Sequence, residues 1–300
     1  MKYYWPLLVL FLSACNEKDN PENTTMTTSH PVIEIQFEQA IDSLIAKSPL
    51  EFTPDCLQPV GMCWYEISRR SADPNLPMVK VLHGVQPLTI EQVSDISIVI
   101  DNNVGKDIHN LSLILRGLPD NSSHEEAQSF IYALIKNIQA SAWKHYYFPS
   151  DPRIPSTEAS KITSPNDVLG SDAMSHPWLD PNHEIDLERW LKFGPFYNWY
   201  FYKDGIYLHL KARRNDSDSA PQERATYLVT LDFLTESGYW RGDFIEEDKK
   251  AHWQELLPDR LASYKQQRNE SEDKARAAGI AVDESYQDPP IKALKEKSAR

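Results

Sequence analysis

The chain has 300 residues, of which 41% are hydrophobic and 25% are charged, and its formal net charge is −13. This composition is typical of a folded globular protein and excludes a collagen-like, low-complexity or wholly disordered chain. The negative charge favours basic partners and repels nucleic acid, so we expect no nucleic acid among the partners; a solvated acidic surface without a partner is the alternative.

The first fourteen residues have the layout of a secretory signal: a positive start, an apolar run that ends at Leu12 and then small residues. The apolar run is shorter than the ~20 residues needed to span a bilayer. Leu12-Ser13-Ala14-Cys15 resembles the lipobox of bacterial lipoproteins. An ordinary secretory signal with an incidental cysteine is the alternative.

The lipobox resemblance implies cleavage before Cys15 and acylation of Cys15, which makes residues 1–14 a signal peptide. In that family an Asp after the cysteine retains the protein at the inner membrane, whereas this chain has Asn16. We therefore expect a lipid anchor in the outer membrane, on its periplasmic face. Two or more acyl chains make such an anchor stable.

Residues 15–30 are polar and predict a lipidated, disordered tether. Beyond it, Cys56 and Cys63 flank a loop whose Pro59 and Gly61 allow a sharp reversal. An exported protein keeps such a pair oxidised, so the spacing predicts a disulfide. A metal pair is the lesser alternative, because no further ligand lies at ligand spacing.

The first folded segment, residues 31–148, contains helical and strand patterns. Apolar spacing from Ile33 predicts a helix that Pro49 ends. Ser123 and Glu126 predict a capping box at the start of a second helix, with Trp143 on its buried stripe. Alternating or continuous aliphatic runs predict strands at residues 62–69, 78–85, 93–101 and 108–116, the last two as a hairpin.

Residues 149–184 are rich in proline and acidic residues and have no periodicity, which predicts a long acidic linker or loop. Residues 185–264 then repeat the order of helix and hairpins, with strands predicted at 197–214, 225–235 and 239–244. We therefore expect an α+β fold of two similar halves, each an antiparallel sheet of hairpins covered by helices. Residues 265–300 predict a charged helical tail that frays at Asp288-Pro289-Pro290.

The chain has no nucleophile elbow, no P-loop and no dinucleotide-binding glycine motif. Its one cluster of possible metal ligands, in SHPWLDPNHEID, is formed by His176, Asp180, His183 and Glu184. Pro177 interrupts any helix that would place them on one face, so a turn and a helix start is the favoured interpretation. We expect neither a catalytic residue nor a cofactor.

Two features suggest a surface for a protein partner. Acidic residues of the long loop are one set of candidates. The aromatic strand after that loop provides the other: alternation directs Trp199 to one face and Tyr200 and Tyr202 to the opposite face, so that one face packs on the core and the other can contact a partner. The partner-binding candidates are Asp151, Asp167, Asp172, Asp180, Trp199, Tyr200 and Tyr202. An aromatic strand that is buried on both faces is the alternative.

The lipobox, polar tether and acidic α+β body together resemble effector-immunity lipoproteins of Gram-negative type VI secretion systems. The resemblance implies a membrane-anchored periplasmic protein that is not an enzyme and that neutralises a secreted toxin, such as a phospholipase or a peptidoglycan hydrolase, by stoichiometric binding. The partner would present a basic or active-site surface. A metal-dependent periplasmic hydrolase that uses the histidine and carboxylate cluster, or an envelope-assembly accessory lipoprotein, is the alternative.

Overall fold

The computed structural model describes residues 30–70 and 72–294. The predicted signal peptide, Cys15 and all of the predicted tether except His30 lie outside the described residues. The strands are β1 (Val32–Ile35), β2 (Thr53–Leu57), β3 (Met62–Ser68), β4 (Met78–Val81), β5 (Leu88–Ile90), β6 (Val93–Asp101), β7 (Asn110–Leu115), β8 (Ser122–Ser123), β9 (Lys144–His145), β10 (Phe196–Lys203), β11 (Ile206–Asp216) and β12 (Arg224–Thr235). The α-helices are α1 (Ile41–Lys47), α2 (His124–Ala140), α3 (Leu187–Lys192), α4 (Glu236–Arg241), α5 (Glu247–Ala251) and α6 (Trp253–Ala277).

The strands of the described chain form two sheets. Nine of them make a large sheet in the order β2-β3-β6-β7-β12-β11-β10-β9, with β8 also paired to β12. The smaller sheet has the order β1-β4-β5, in which β1 runs parallel to β4. The mixed α+β class is therefore confirmed.

Two similar halves are not confirmed, because one sheet spans both parts of the chain. β7 lies before the long loop (residues 149–184) and β12 lies after it, yet they pair directly, with Leu113 opposite Leu231. The segments on either side of the long loop thus share one continuous ladder of hydrogen bonds.

The main apolar cluster lies on one face of the large sheet. It joins inward side chains of β6 and β7 to side chains of the small sheet, α1 and α2. A second cluster lies at the β9–β11 end and is largely aromatic, and α4 and α6 contribute to it. Its buried members are Tyr146, Tyr200, Tyr207, Trp240, Phe244, Trp253 and Leu257.

Period-two alternation predicts the central strands correctly. Residues 93–101 form β6, 110–115 form β7, and these two strands pair as the expected antiparallel hairpin. The capping box is also confirmed, since Ser123 accepts a hydrogen bond from the Glu126 amide while the Glu126 carboxylate accepts one from the Ser123 amide.

Two predicted elements are wrong. The predicted first helix is a strand at Val32–Ile35 followed by α1, because Ile33 and Ile35 are buried while Val32 and Glu34 are exposed, which is alternation with period two. The strand predicted at residues 239–244 is absent: residues 239–241 end helix α4 and 242–244 form the turn after it. The Thr235 hydroxyl caps the first turn of α4 by accepting from the Gly238 amide.

The tail is less exposed than its charge predicts. Helix α6 runs to Ala277 and buries Arg268 and Glu272, and residues 278–294 fold back against the body. Both buried charges are paired: Arg268 with Asp288 at 2.6 Å and Glu272 with Arg153 at 2.7 Å. Charge patterning alone does not reveal such distant partners.

Candidate functional site

One face of the large sheet, opposite the main apolar cluster, remains accessible over β3, β6, β7 and β12. Its outward side chains are half-buried or exposed, and none belongs to either apolar cluster. Alternation explains their direction, since the residues between them are the buried core residues of the same strands. This open face consists of Met62, Trp64, Glu66, Ser68, Asp95, Ser97, Val99, Asp101, Asn110, Ser112, Ile114, Thr230 and Asp232.

Hydroxyl groups hold the carboxylates of the open face in place. Ser68 donates to Asp95 at 2.6 Å, and Ser97 donates to Glu66 at 3.2 Å. Ser112 donates to Asp232 at 2.6 Å, and Asp232 also pairs with Lys211 of β11. These neutral donors orient the carboxylates and do not cancel their charge.

The open face is acidic. Among the salt bridges of residues 30–70 and 72–294, none involves Glu66, Asp95 or Asp101. Trp64 lies half-buried beside them, directly opposite Val99 on the neighbouring strand. Uncompensated carboxylates around an accessible tryptophan suit a basic protein surface.

A cleft of about 730 Å³ lies at one end of the open face. Val99 and Asn110 belong to the open face and line the cleft together with His109. One wall is formed by the turns after β2 and β6, and the other is formed by α4 and the start of α5. We call this the end cleft; it is continuous with the open face because the two share lining residues.

The disulfide between Cys56 and Cys63 is confirmed, and it lies beside the end cleft. It joins directly opposed residues of β2 and β3 and closes the hairpin whose tip forms one wall of the cleft. Closing so short a loop stabilises the fold by about 2–3 kcal/mol on the chain-entropy model.

The structure buries most of the partner-binding candidates. Trp199 belongs to the main apolar cluster and Tyr200 to the aromatic cluster, so helices and loops cover both faces of this strand. Tyr202 is half-buried against the aromatic cluster. This placement corrects the expectation of an exposed Tyr and Trp face, because the accessible face lies on other strands of the same sheet.

The acidic candidates of the long loop also divide by burial. Asp151 is buried and accepts from the Ser175 amide at 2.6 Å, and burial raises its pKa to about 6. Asp180 is buried and accepts from the Ser156 and Asn182 amides. Asp167 is half-buried in a local turn, and Asp172 is exposed. A protein partner can therefore reach Asp172 but not Asp151 or Asp180 in this fold.

The four metal-ligand candidates do not converge on one site. His176 is buried with both ring nitrogens in protein contacts, to the Trp178 amide and the Ser164 carbonyl, and burial lowers its pKa. Glu184 pairs with Lys136 at 2.6 Å. The imidazole of His145 lies 3.8 Å from the Asp180 carboxylate, and His183 contacts Asp180 through its backbone amide, which donates to the Asp180 carbonyl at 3.0 Å. The described residues contain no group of three or more His, Cys, Asp or Glu side chains with metal-site geometry.

Comparison with known proteins identifies no relative: no family model, no curated protein and no solved structure matches the chain. Within residues 30–70 and 72–294, no helix combines the length and apolar character needed to cross a membrane.

The sequence predicts the strands of the open face but not which of their residues contact solvent. The pattern VSDISIVID predicts which residues of β6 share a face, yet it does not say which face another layer covers. The polar alternation itself was the available signal, since Asp95, Ser97 and Asp101 are unsuited to a core.

Proposed function

We propose that this chain is a lipid-anchored periplasmic binding protein, acylated at Cys15, that neutralises a secreted antibacterial toxin by stoichiometric binding through the open face. The open face supports this proposal most strongly. Hydroxyl groups orient Glu66 and Asp95, neither of which forms a salt bridge within the described part of the chain, and the half-buried Trp64 lies beside them on the sheet. Negative charge speeds capture of a basic partner, and an aromatic anchor slows its release.

The breadth of the open face favours a protein as the ligand. Its side chains extend over four adjacent strands, which lie ~4.8 Å apart, so the surface is more than ~14 Å wide. A sheet face of this kind is broad and shallow, whereas sites for small molecules are concave and enclose most of the ligand. Stable protein interfaces use about 800 Å² on each partner.

Co-expression tests the proposal directly. Secreted toxins encoded by neighbouring genes are directed to the periplasm of a sensitive host, with or without this chain. We expect one of them to be neutralised, so that growth is restored, and the purified pair to form a complex of fixed stoichiometry. Cys15→Ser should leave the protein unacylated, and acyl labelling measures this separately from toxin binding.

Two results would contradict the proposal. One is that the full chain restores growth with none of the toxins. The other is that deletion of its gene weakens the outer membrane when no toxin is present, which would favour an accessory role in envelope assembly.

A further inference from the structure

We propose that the end cleft receives a protruding segment of the partner toxin in which an apolar side chain is next to a lysine or arginine. This inference rests on the proposed function and specifies which part of the partner is recognised. It follows from three properties of the cleft: an exposed apolar wall, rigid attachment of that wall, and the position of its charges.

The first property is an apolar wall, which we call the lip: Leu57, Val60, Met62 and Val104. Leu57, Val60 and Val104 are 52%, 54% and 51% exposed. Leu57 lies directly opposite Met62 across the β2–β3 pair, and Met62, Val60 and Val104 all line the cleft. Several aliphatic side chains exposed together on one wall mark an interaction site, whereas single exposed residues do not.

The second property is rigidity. Asn103 donates from its side chain to the Val60 carbonyl at 3.0 Å, and the Asn102 amide donates to the Gly61 carbonyl at 2.8 Å. These bonds join the tip of the β2–β3 hairpin to the turn after β6. Gly61 has a φ of +70°, in the left-handed region that favours glycine. A Cβ there would lie 2.7 Å from the Asn103 side chain and would displace the group that donates to Val60. The disulfide closes the same hairpin.

A lip that is ordered before binding loses little conformational entropy on association. Two turns and a disulfide therefore present three exposed aliphatic side chains in a fixed arrangement. Exposed apolar side chains on a mobile loop would not give the same affinity, because ordering them would oppose binding.

The third property is the distribution of charge. Asp101 and Asp107 lie on the lip side of the cleft, and neither takes part in a salt bridge among the described residues. On the opposite wall Lys250 is paired with Glu247 at 2.7 Å, and Arg241 is the other cation among the described residues that line this wall. A basic side chain of the partner is therefore favoured beside the lip, next to the apolar contact.

The test uses the full chain with Val60→Asp and Val104→Asp together. The matched control carries Val85→Asp and Met174→Asp, which change two exposed apolar residues outside the cleft. Circular dichroism and Tm establish that each variant is folded. Growth protection and titration with the toxin that the unmodified chain neutralises are then measured.

We expect the lip variant to bind the toxin at least about tenfold more weakly and to lose protection, because two charges enter an apolar contact. The control should stay within about twofold of the unmodified chain, since its changed residues contact nothing in the cleft. A milder pair, Val60→Thr with Val104→Thr, keeps the side-chain volume and should cause an intermediate loss of toxin affinity. This pair replaces the aspartate variant if the aspartates lower Tm.

The outcomes separate this inference from the proposed function. If the unmodified chain protects and the folded lip variants protect and bind equally well, the cleft does not receive the partner, although the function stands. If the unmodified chain protects against no toxin, the function fails and this inference fails with it.

Discussion

At the scale of the residue, several partly buried histidines have a lowered pKa, so that protonating them destabilises the fold. His209 projects from β11 beside the open face, stacks on Tyr200 with ring centroids 4.3 Å apart, and contacts the Asn198 amide oxygen at 2.9 Å. Burial, assisted by Lys211, lowers the pKa of His209 to about 4, while Asp232 acts in the opposite direction. Burial is also the main cause of the lowered pKa of His83 and of His145.

Because the folded pKa of His209 lies below its unfolded value, the unfolded state binds more protons as pH falls from about 6.5 towards 4. The contribution of neutral His209 to the unfolding free energy is complete above about pH 6.5 and declines as the pH falls towards 4. We predict that the unfolding free energy falls between pH 7.5 and 5.5 and that His209→Gln reduces this fall by about 1.3 kcal/mol. Urea unfolding at both pH values measures it, and an equal fall in both proteins would contradict it.

Asp151 changes the unfolding free energy in the opposite direction from the histidines over part of this pH range. Its pKa is raised by burial, so the folded state binds its proton more readily, and stability from this group rises as pH falls from about 6. The histidine contributions outnumber it, because the pKa of His83, His145 and His209 is lowered.

At the scale of the element, close packing of helix α2 on the sheet depends on a residue without a side chain. A Cβ at Gly117, just after β7, would lie 1.9 to 2.3 Å from ring atoms of Phe130 on α2. Its φ is not in the left-handed region, so space and not backbone conformation requires glycine here.

Gly117→Ala should therefore lower the unfolding free energy by about 1–3 kcal/mol, the usual cost of overpacking. In a Phe130→Ala background the same substitution should cost less than about 0.5 kcal/mol, because the ring that it displaces is gone. Denaturant titrations of the two single variants and the double variant form the required cycle. Equal costs in the two backgrounds would show that the Phe130 ring is not the obstacle.

The elements also show what sequence patterns can and cannot establish. Strand β6 and the Ser123–Glu126 capping box are local signals, so their positions follow from neighbouring residues alone. The sequence predicts a strand at residues 239–244, where aromatic residues have high strand propensity, whereas the helix α4 occupies Glu236–Arg241. Packing of Tyr239 against Tyr207, with ring centroids 3.9 Å apart, favours the helix, and that contact is not visible in sequence.

At the scale of the whole molecule, helix α6 joins the long loop to the C-terminal segment. Arg268 donates to the carbonyls of Phe148 and Asp151, both at 2.9 Å, and to the Asp288 carboxylate at 2.6 Å. Arg153 of the long loop pairs with Glu272 one turn later. A loop that composition predicts to be a linker is thus fixed by partners more than one hundred residues away.

Arg268→Met should lower the unfolding free energy by about 2–3 kcal/mol, because it takes the charged donor away from the carbonyl of buried Asp151 and one of two donors away from the Phe148 carbonyl. Arg260→Met on the same helix is the control. Arg260 is exposed and pairs with Asp243, so its loss should cost no more than about 1 kcal/mol. Chemical denaturation compares the two, and a cost for Arg268→Met as small as that of the control would show that the contacts of Arg268 do not fix the long loop.

The open face itself follows from the whole molecule and not from any one strand. The sequence predicts alternation in β3, β6 and β7 but not that the aromatic strand β10 is covered on both sides while these strands are not. The expected binding residues Trp199 and Tyr200 lie in the same sheet as the open face, but at its covered end. Tertiary burial decides which polar strand face contacts solvent.

The measurement that tests the central claim most directly is calorimetric titration of the neutralised toxin into chains that differ only in charge. Glu66→Gln, Asp95→Asn and Asp101→Asn together remove three charges from the open face. The control, Glu91→Gln, Glu125→Gln and Asp218→Asn, removes three exposed charges elsewhere. The open-face variant should bind at least about tenfold more weakly and with less salt dependence, while the control binds as the unmodified chain does. Equal affinity of the two variants, or weakening by the control alone, would contradict binding through the open face.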